Sequence, residues 1–321
     1  MEILSKILMI ISEIKKITKG IILEDEPMSQ HTSYGIGGKV LAYIRPYDRS
    51  DLIRIIKLIN KHKAKLYFVG SGSNLLVNDK NISSFVITPA KALKSLNIDK
   101  NIIIAESGVM LGKIVKKAVT HRLTGLETLV GVPGTLGGAL IMNAGAFGSE
   151  ISNYLVSVDV ISSSGIIKTL YPNDINFNYR YSSFKSTEFI LSATFKLNTS
   201  SEKDIRSKKL IASKGRKNSQ PLKFRSAGSV FKNPHSKLAA GFLIDMAGLK
   251  GTRCGNAEIS EHHANFFINH GNAKAADIAS LIRLSRKTIY EKFGIMLELE
   301  IKTIGFNKSE LYPYANSTKT Y

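Results

Sequence analysis

Cysteine is almost missing from this sequence of 321 residues, which contains only Cys254. A single cysteine excludes an internal disulfide and excludes zinc sites built from several cysteines of one chain, and it is typical of a reducing compartment. Long apolar runs are also missing. Residues 7–11 are apolar but lie between charged residues, without a cleavage site after them. They indicate neither a signal peptide nor a membrane span. We therefore predict an amphipathic helix over residues 1–19, a cytoplasmic location and no membrane partner.

Acidic residues are few, with 25 Asp and Glu against 45 Lys and Arg, so the formal net charge is +20. Such a charge raises nucleic acid as a partner. The basic residues, however, are spread along the chain, and no helix-turn-helix, zinc-finger or RNA-binding signature is present. A positive protein also suits small anionic ligands such as nucleotides, phosphates and carboxylates. We expect no nucleic-acid partner and keep a basic nucleic-acid-binding protein as an alternative, which a clustered basic and aromatic surface would distinguish.

The hydrophobic pattern alternates between short apolar strands and amphipathic helices, which predicts the α+β class. Ser50 is the predicted N-cap of a helix, and a basic helix over residues 200–219 is the predicted domain boundary. A last strand over residues 296–304 would place Glu298 and Glu300 on the same side. The polar residues 306–321 are predicted to be a disordered tail.

Two glycine-rich stretches interrupt this pattern. Residues 131–150 read GVPGTLGGALIMNAGAFGSE and hold six glycines, a composition that favours neither helix nor strand. They are either a tight buried connection or a backbone cradle for a large cofactor, because glycine lets the main chain approach a ligand. Residues 70–74, Gly-Ser-Gly-Ser-Asn, follow a predicted strand and offer amides to a pyrophosphate. Leu75 breaks the GxGxxG pattern, and no GxxxxGK[ST] is present, so neither dinucleotide fingerprint applies.

Three further residues have two interpretations each. Arg180 lies among aromatics and is either a stacked surface arginine or a functional cation. Ser229 lies among small residues, either in a turn or at a reaction centre, and the GxSxG nucleophile pattern is absent. Glu300 is either a solvated strand residue or a functional acid. The adjacent His262 and His263 lack metal-ligand spacing, so we expect no metal site.

Seven motifs occur in order between residues 20 and 305: GSGSNLLV (70–77), GVPGTLGGALIMNAGAFGSE (131–150), FNYRYSSF (177–184), SAGSVFKNP (226–234), AGFLIDMAGLKG (240–251), SEHHANFFIN (260–269) and FGIMLELE (293–300). Each motif alone is modest, but the ordered set closely resembles the UDP-N-acetylenolpyruvoylglucosamine reductase family. The spacing from Arg180 to Ser229 resembles the compact subgroup, which lacks a tyrosine-bearing lid loop.

The resemblance implies an FAD-dependent oxidoreductase of peptidoglycan precursor synthesis, and thus of cell-wall biogenesis, cell shape and cell division. The implied fold is α+β: a two-subdomain FAD-binding fold of the vanillyl-alcohol-oxidase and p-cresol-methylhydroxylase type, then a C-terminal α+β substrate domain. We place the FAD-binding domain at 20–200, with subdomains 20–88 and 89–200, and the substrate domain at 201–305. The implied partners are non-covalent FAD, NADPH and UDP-N-acetylglucosamine enolpyruvate, and we expect a monomer.

The family's functional positions transfer residue by residue. After hydride transfer from reduced flavin to the enolpyruvyl CH₂ carbon, Ser229 would protonate the neighbouring carbon while Arg180 and Glu300 stabilise the carboxylate. The positions expected to bind FAD are Gly70, Ser71, Gly72, Ser73, Asn74, Gly134, Thr135, Gly137, Gly138, Asn143 and Gly145. The positions expected to bind substrate are Lys217, Asn233, His263 and Lys302.

The departures from the family pattern leave the catalytic groups intact. Phe147 stands where tyrosine is usual, and Arg225 stands where proline is common. A different oxidase or dehydrogenase on the same FAD scaffold stays an alternative. The motifs around Ser229 and Glu300 argue against it, and NADPH consumption with and without the enolpyruvyl sugar nucleotide would separate the two.

Overall fold

The structure, a computed structural model, describes residues 2–235 and 238–312, with side chains from residue 5 onwards. The chain forms two compact units. The first unit comprises residues 1–26, 40–71 and 83–216, and the second comprises residues 27–39, 72–82 and 217–321. The division differs from the predicted domain limits in two ways. Residues 27–39 and 72–82 join the second unit, and the boundary near the basic helix falls after residue 216 instead of residue 200.

A four-stranded sheet and two helices open the first unit. The strand order is Ile21–Pro27, Lys39–Arg45, Ile82–Ile87, Leu66–Phe68, and the last two strands are parallel. The helices Glu2–Ile17 and Arg49–Lys61 contribute Ile10, Ile14, Ile55 and Ile59 to one core with Phe85 of the sheet. The N-terminal helix confirms the prediction within the described residues.

The N-cap prediction at Ser50 is wrong. Asp48 occupies the N-cap of the helix Arg49–Lys61, and its carboxylate accepts a hydrogen bond from the Asp51 amide at 2.8 Å. Ser50 lies within the first turn, and its hydroxyl donates to the same Asp48 carboxylate at 2.8 Å. An ionised carboxylate near the positive end of the helix dipole is also favoured electrostatically, which the hydroxyl of serine is not.

A five-stranded antiparallel sheet completes the first unit. Its strand order is Ile167–Leu170, Leu155–Ser162, Glu188–Lys196, Ile102–Glu106, Leu96–Asp99. The helices Leu111–Thr120 and Leu136–Ile141 bury Ile114 and Leu140 in one core with Val160 and Phe195 of the sheet. The basic helix is Glu202–Ser219. The remaining short elements of this unit are Leu123–Thr124, Glu127–Leu129, Gly145–Ala146, Ser149–Glu150, Ile151–Tyr154, Pro172–Asp174, Phe177–Asn178, Tyr181–Ser182 and Asn198–Thr199.

The glycine-rich stretch is more regular than its composition predicts. Leu136–Ile141 is a helix, and Gly145–Ala146 pairs with Ser149–Glu150. The prediction of neither helix nor strand is therefore wrong for these residues. Leu136 and Leu140 are one helical turn apart and both fully buried, so burial of this apolar face outweighs the low helix propensity of Gly137 and Gly138.

The second unit contains the three antiparallel strands Arg253–Cys254, Ala257–Ile259 and Phe267–Asn269, and the parallel pair Leu75–Val77 and Lys302–Ile304. Its helices are Met28–Gln30 (3₁₀), Ala240–Met246, Ala275–Phe293 and Lys308–Leu311. Gly294 ends the long helix in the left-handed conformation, at φ 69°. The glycine suits this helix end, because a side chain is disfavoured at such a φ.

Two predictions near the C-terminus need correction. Only Lys302–Ile304 of residues 296–304 is a regular strand. Around Leu299 the chain forms an isolated antiparallel bridge with Phe231. The amides of Glu300 and Ile301 both point to the Val230 carbonyl, at 2.8 and 3.4 Å, so the regular pairing ends at Glu300. Disorder is wrong for residues 306–312, which contain the helix Lys308–Leu311. The rest of that predicted tail lies outside the described residues.

Arg286 fastens the end of the second unit to its core. It is fully buried on the helix Ala275–Phe293. Its Nε donates to the Leu297 carbonyl at 2.9 Å, and its Nη1 donates to the Leu311 carbonyl at 2.7 Å. The guanidinium carbon also lies 3.7 Å from the ring centroid of Tyr312. One side chain therefore satisfies two main-chain acceptors and stacks on an aromatic ring.

We expect Arg286→Met to lower the free energy of unfolding by about 2–4 kcal/mol. Two buried carbonyls would lose charge-assisted hydrogen bonds, and the removal of a buried charge would offset part of that loss. Urea denaturation followed by circular dichroism measures the change. Lys287→Met is the matched control, because the neighbouring Lys287 side chain is 56% exposed. Equal stability of the two variants would contradict the anchoring role.

Candidate active site

Gly138 lies in the helix Leu136–Ile141, and a side chain at this position would point into open space. A Cβ built on it would meet only Thr135 Oγ1, at 3.8 Å, among the described atoms within 4 Å. Two other glycines of the stretch pack inside the protein. A Cβ at Gly137 would lie 3.1 Å from Ser107 Cβ, and one at Gly145 would lie 2.9 Å from Glu150 Cγ. A Cβ at Gly148, where φ is 80°, would meet no described atom within 4 Å. The open direction at Gly138 is therefore one place along this stretch where a ligand could lie directly against the backbone.

The predicted cofactor loop 70–74 has a different reason for its glycines. A Cβ at Gly70 would collide with Thr135 Oγ1, and one at Gly72, where φ is 64°, would collide with the His31 carbonyl. Gly70 therefore brings the loop against the glycine-rich stretch inside the first unit. Ser71 is exposed, whereas Ser73 and Asn74 are partly buried. The division between the two units falls inside this loop, after Ser71.

Buried polar atoms at the glycine-rich stretch lack hydrogen-bond partners within the described residues. Among them are Ser107 Oγ, which faces Gly137, and Asn143 Oδ1. The Asn143 amide nitrogen is engaged, donating to Glu150 Oε2 at 2.6 Å and to the Asn178 carbonyl at 3.2 Å. A buried donor or acceptor without a partner is costly. A bound ligand with polar groups would supply the missing partners, so these residues fit a cofactor along residues 131–148.

Gly134 and Thr135, also expected to bind the cofactor, form the turn into the short helix. Both are buried, and Gly134 has φ 129°, which favours glycine. Thr135 occupies the N-cap position with extended backbone, and its carbonyl accepts from the Ala139 amide at 2.9 Å. Their present contacts are internal, and they hold the backbone that presents Gly138.

Arg180 lies in a two-residue turn between the short strands Phe177–Asn178 and Tyr181–Ser182. Its φ of 53° is in the left-handed region, which a non-glycine residue seldom occupies. The side chain donates from Nη2 to the Gly145 carbonyl at 3.0 Å, and its guanidinium carbon lies 5.0 Å from the Tyr179 ring centroid. The contact with the Tyr179 ring is the one expected for a stacked surface arginine. The bond to Gly145 in addition places this cation on the glycine-rich stretch.

Ser229 and Glu300 lie on paired segments of the second unit. The Glu300 amide donates to the Val230 carbonyl at 2.8 Å, so the main chains at Ser229 and Glu300 lie close together in space. On the other side, Asn265 clamps the same segment from three atoms. Its Oδ1 accepts from the Phe231 amide at 2.9 Å, its Nδ2 donates to the Phe231 carbonyl at 2.8 Å, and its own carbonyl accepts from the Val230 amide at 2.8 Å. Asn74 also donates to the Glu300 carbonyl, at 3.2 Å.

A pocket of about 310 Å³ in the second unit is lined by three of the predicted site residues, Ser229, Asn233 and His263. Asp245 and Lys250 line it as well, joined by an ion pair of 2.6 Å. These two charged residues were missed, although both belong to the motif at residues 240–251. Their spacing of five residues does not reveal that a helix end brings them together.

Asn233, Lys302 and Lys217 have different surroundings. Asn233 Oδ1 accepts from the Ala240 amide at 3.1 Å and so caps the helix Ala240–Met246. Lys302 is exposed, and desolvation, then the charge of Lys232, lower the pKa of its ammonium group. Lys217 is exposed in the last turn of the helix Glu202–Ser219 and does not line the pocket. The structure therefore does not bring all four predicted substrate residues into this pocket.

His263 is partly buried in the pocket wall. Burial, then the charges of His262 and Lys250, lower the pKa of His263 below its usual value of 6.5, although a backbone hydrogen bond opposes the shift. Its Nδ1 accepts a hydrogen bond from the Asn265 amide at 3.2 Å. In the neutral ring, Nε2 therefore carries the proton and is available as a donor.

Within residues 2–235 and 238–312, no group of three or more His, Cys, Asp or Glu side chains is placed to hold a metal ion. No helix in that part of the chain has both the length and the apolar character needed to cross a bilayer.

Comparisons with known proteins give one consistent family. Residues 40–171 match the model of an FAD-binding domain, and residues 220–304 match the C-terminal domain of UDP-N-acetylenolpyruvoylglucosamine reductase. The enzyme of that name from Chloroherpeton thalassium is 39% identical over 308 residues, which covers 93% of this chain and 98% of the relative. The one from Caldicellulosiruptor bescii is 43% identical over 293 residues, which covers 90% of this chain and 93% of the relative.

A solved structure agrees with the sequence matches. The crystal structure of UDP-N-acetylenolpyruvylglucosamine reductase from Thermus caldophilus superposes with a TM-score of 0.76 at 32% identity, over 89% of this chain and 99% of that one. Together with the FAD-binding-domain match, it confirms the predicted α+β fold, an FAD-binding fold followed by a C-terminal domain.

We expect His263→Gln to flatten the dependence of stability on pH. Because its folded-state pKa is lowered, His263 in the unfolded chain takes up a proton near pH 6.5 and in the folded chain only at lower pH. The free energy of unfolding should thus fall as the pH drops below 6.5. Melting temperatures at about pH 7.5 and 5.5 measure this loss. His121→Gln, at an exposed histidine, is the control. An identical loss in wild type and His263→Gln would contradict the burial effect.

Proposed function

Because the chain belongs to the UDP-N-acetylenolpyruvoylglucosamine reductase family, as its sequence motifs indicated, we propose that it reduces UDP-N-acetylglucosamine enolpyruvate to UDP-N-acetylmuramate with NADPH. It is an FAD-dependent oxidoreductase, and its family acts in peptidoglycan precursor synthesis. The observation that carries the proposal is the pairing of the Ser229 and Glu300 segments through the Val230 carbonyl, with Ser229 lining a pocket. A general acid and a second acid near one reaction centre suit protonation at carbon.

FAD would be held along residues 70–74 and 131–148. The open face of Gly138 and the unpartnered Ser107 and Asn143 oxygens support this assignment. Neither stretch contains histidine or cysteine, so we propose non-covalent binding. When bound, FAD supplies two-electron redox chemistry between NADPH and the enolpyruvyl group.

Arg180 would stabilise negative charge on the substrate carboxylate. Arginine stays cationic at any physiological pH, and its bond to the Gly145 carbonyl fixes the guanidinium on the glycine-rich stretch. The left-handed backbone at Arg180 supports a functional role, since strain of about 1–3 kcal/mol persists where the surroundings or the function demand it. A fixed cation acts without reorganisation as charge develops.

Ser229 would donate the proton to carbon, and Glu300, while protonated, would donate a hydrogen bond to the same carboxylate. Serine is a weak acid and needs a polarising neighbour. Lys250 and His263 line the pocket. The Lys250 ammonium group and the His263 Nε2–H are therefore the candidates for this neighbour. Asn265 fixes the main chain on both sides of Val230, which restricts the positions that the Ser229 hydroxyl can occupy.

Further parts of the proposal concern the partners. The net charge of +20 suits NADPH, whose 2′-phosphate adds negative charge relative to NADH. NADPH and the enolpyruvyl substrate would react in turn, which predicts parallel double-reciprocal plots. We further propose a cytoplasmic monomer, in which Asn233, His263, Lys302 and Lys217 contact the substrate.

We expect Gly138→Val to release the flavin while the chain still folds. The branched side chain would occupy the space beside the helix, and steric overlap of about 1–3 kcal/mol weakens binding roughly 5- to 150-fold. The ratio of flavin to protein absorbance measures the effect. Gly112→Val is the matched control, because Gly112 is also near the start of a helix and its Cβ would meet no described atom within 4 Å. Normal flavin content in folded Gly138→Val would contradict the cradle.

We expect Ser229→Ala to separate the two half-reactions. Reduction of the bound flavin by NADPH needs no proton from Ser229, so its rate should stay within a few-fold of wild type. Reoxidation by the enolpyruvyl substrate should slow about 10²- to 10⁴-fold, the usual cost of a lost general acid. Stopped-flow flavin absorbance measures each step, with Ser226→Ala as the control in the same segment. An unchanged second step would remove Ser229 from the mechanism, and equal slowing of both steps would indicate a displaced flavin.

A further inference from the structure

Arg216 lies against the start of the glycine-rich stretch, in the last turn of the helix Glu202–Ser219. A Cβ built on Gly131, where φ is 77°, would lie 3.1 Å from Arg216 Cδ and 3.7 Å from its Nε. The preceding residue packs on the same stretch, since a Cβ on Gly215 would lie 2.9 Å from Phe147 Cζ. The aliphatic part of Arg216 therefore lies beside Gly131, at the start of the stretch expected to bind a cofactor.

The charged end of Arg216 lacks the partners that other arginines of this chain have. Its Nε is buried and has no hydrogen-bond acceptor among the described residues. No carboxylate of the described chain forms an ion pair with it. Arg206, ten residues earlier on the same helix, pairs with Glu202, and the buried Arg286 donates to two carbonyls. Arg216 as a whole is partly buried, but a buried Nε–H without an acceptor is unfavourable unless something outside the chain provides one.

The charge nearest to Arg216 makes its environment less favourable still. Burial, and then the positive charge of Arg180, lower the pKa of Arg216. Both cations border the same glycine-rich stretch, Arg216 at Gly131 and Arg180 at Gly145. The C-terminal position of Arg216 on its helix gives some favourable dipole interaction. That interaction supplies no acceptor for Nε and does not remove the repulsion between two guanidinium groups.

We propose that Arg216 is an anion-binding residue that, together with Arg180, receives an oxyanionic group of a molecule bound along residues 131–148. The inference rests on the proposed function, because the bound molecules there are FAD, NADPH and the enolpyruvyl substrate. All three carry oxyanions: a pyrophosphate, a 2′-phosphate and a carboxylate. The planar guanidinium is suited to two-point contact with either a phosphate or a carboxylate.

The test compares Arg216→Met with wild type and with Arg206→Met, a control on the same helix whose arginine is 73% exposed. Three dissociation constants are measured on the full chain: FAD by fluorescence quenching after flavin removal, and NADPH and the enolpyruvyl substrate by flavin absorbance changes. We expect one of the three to weaken roughly 10- to 100-fold in Arg216→Met, the range for a lost charge-assisted hydrogen bond. The ligand affected identifies the oxyanion. Arg206→Met should bind all three normally.

The stability of Arg216→Met is a second measurement, because a structural role for Arg216 predicts the opposite change in the urea midpoint. Removal of a partly buried cation that has no ion-pair partner and lies near a like charge should leave the urea midpoint of the flavin-free chain unchanged or raise it. Three unchanged dissociation constants overturn the proposal, and so does a lower midpoint with unchanged binding. If Arg216→Met fails to fold, Arg216→Lys is measured instead. It keeps the charge but loses the planar fork, and it should bind the same ligand several-fold more weakly. Failure of wild type to bind the enolpyruvyl substrate would instead contradict the proposed function.

Discussion

One buried amide side chain determines the geometry of the candidate active site in the second unit. Asn265 is only 3% exposed, and it satisfies both main-chain groups of Phe231 through its own side chain. Ser229 lies two residues before Phe231. The amide of Glu300 donates to the carbonyl of Val230, which lies between Ser229 and Phe231. A buried amide with a donor and an acceptor fits one backbone register, because a shift by one residue would leave both atoms unsatisfied. The positions of the two candidate acids thus follow from a single hydrogen-bonded side chain.

The hydrogen-bond and ion-pair partners of each cation distinguish a structural role from a candidate binding role. Arg286 is buried, and two main-chain carbonyls accept hydrogen bonds from its Nε and Nη1, while its Nη2 has no acceptor among the described residues. Lys250 is matched by Asp245 in the pocket wall. Arg216 is buried at Nε without such a group in the described chain. Local pairing, and not the net charge, therefore indicates where this basic protein would receive an anionic molecule.

The sequence predicted the elements whose signals are local. The helix Ala275–Phe293 and its stop at Gly294 follow from apolar periodicity and from the conformational freedom of glycine. Errors occurred where distant residues decide. The expected strand near Glu300 is interrupted because one carbonyl, that of Val230, accepts two successive amides. The roles of Asp245, Lys250 and Arg216 depend on contacts across the fold, which composition and spacing do not encode. The ordered motifs identified the family, but they could not show which side chains lack partners.

The left-handed backbone of Arg180 sets two selective pressures against each other. A turn position at φ 53° causes less backbone strain for glycine or asparagine than for arginine. Random mutagenesis screened only for heat resistance would therefore enrich Arg180→Gly and Arg180→Asn, and it would do so by discarding the cation. The proposed role of Arg180 requires its cation, so this turn is a point at which stability and the proposed activity favour different amino acids.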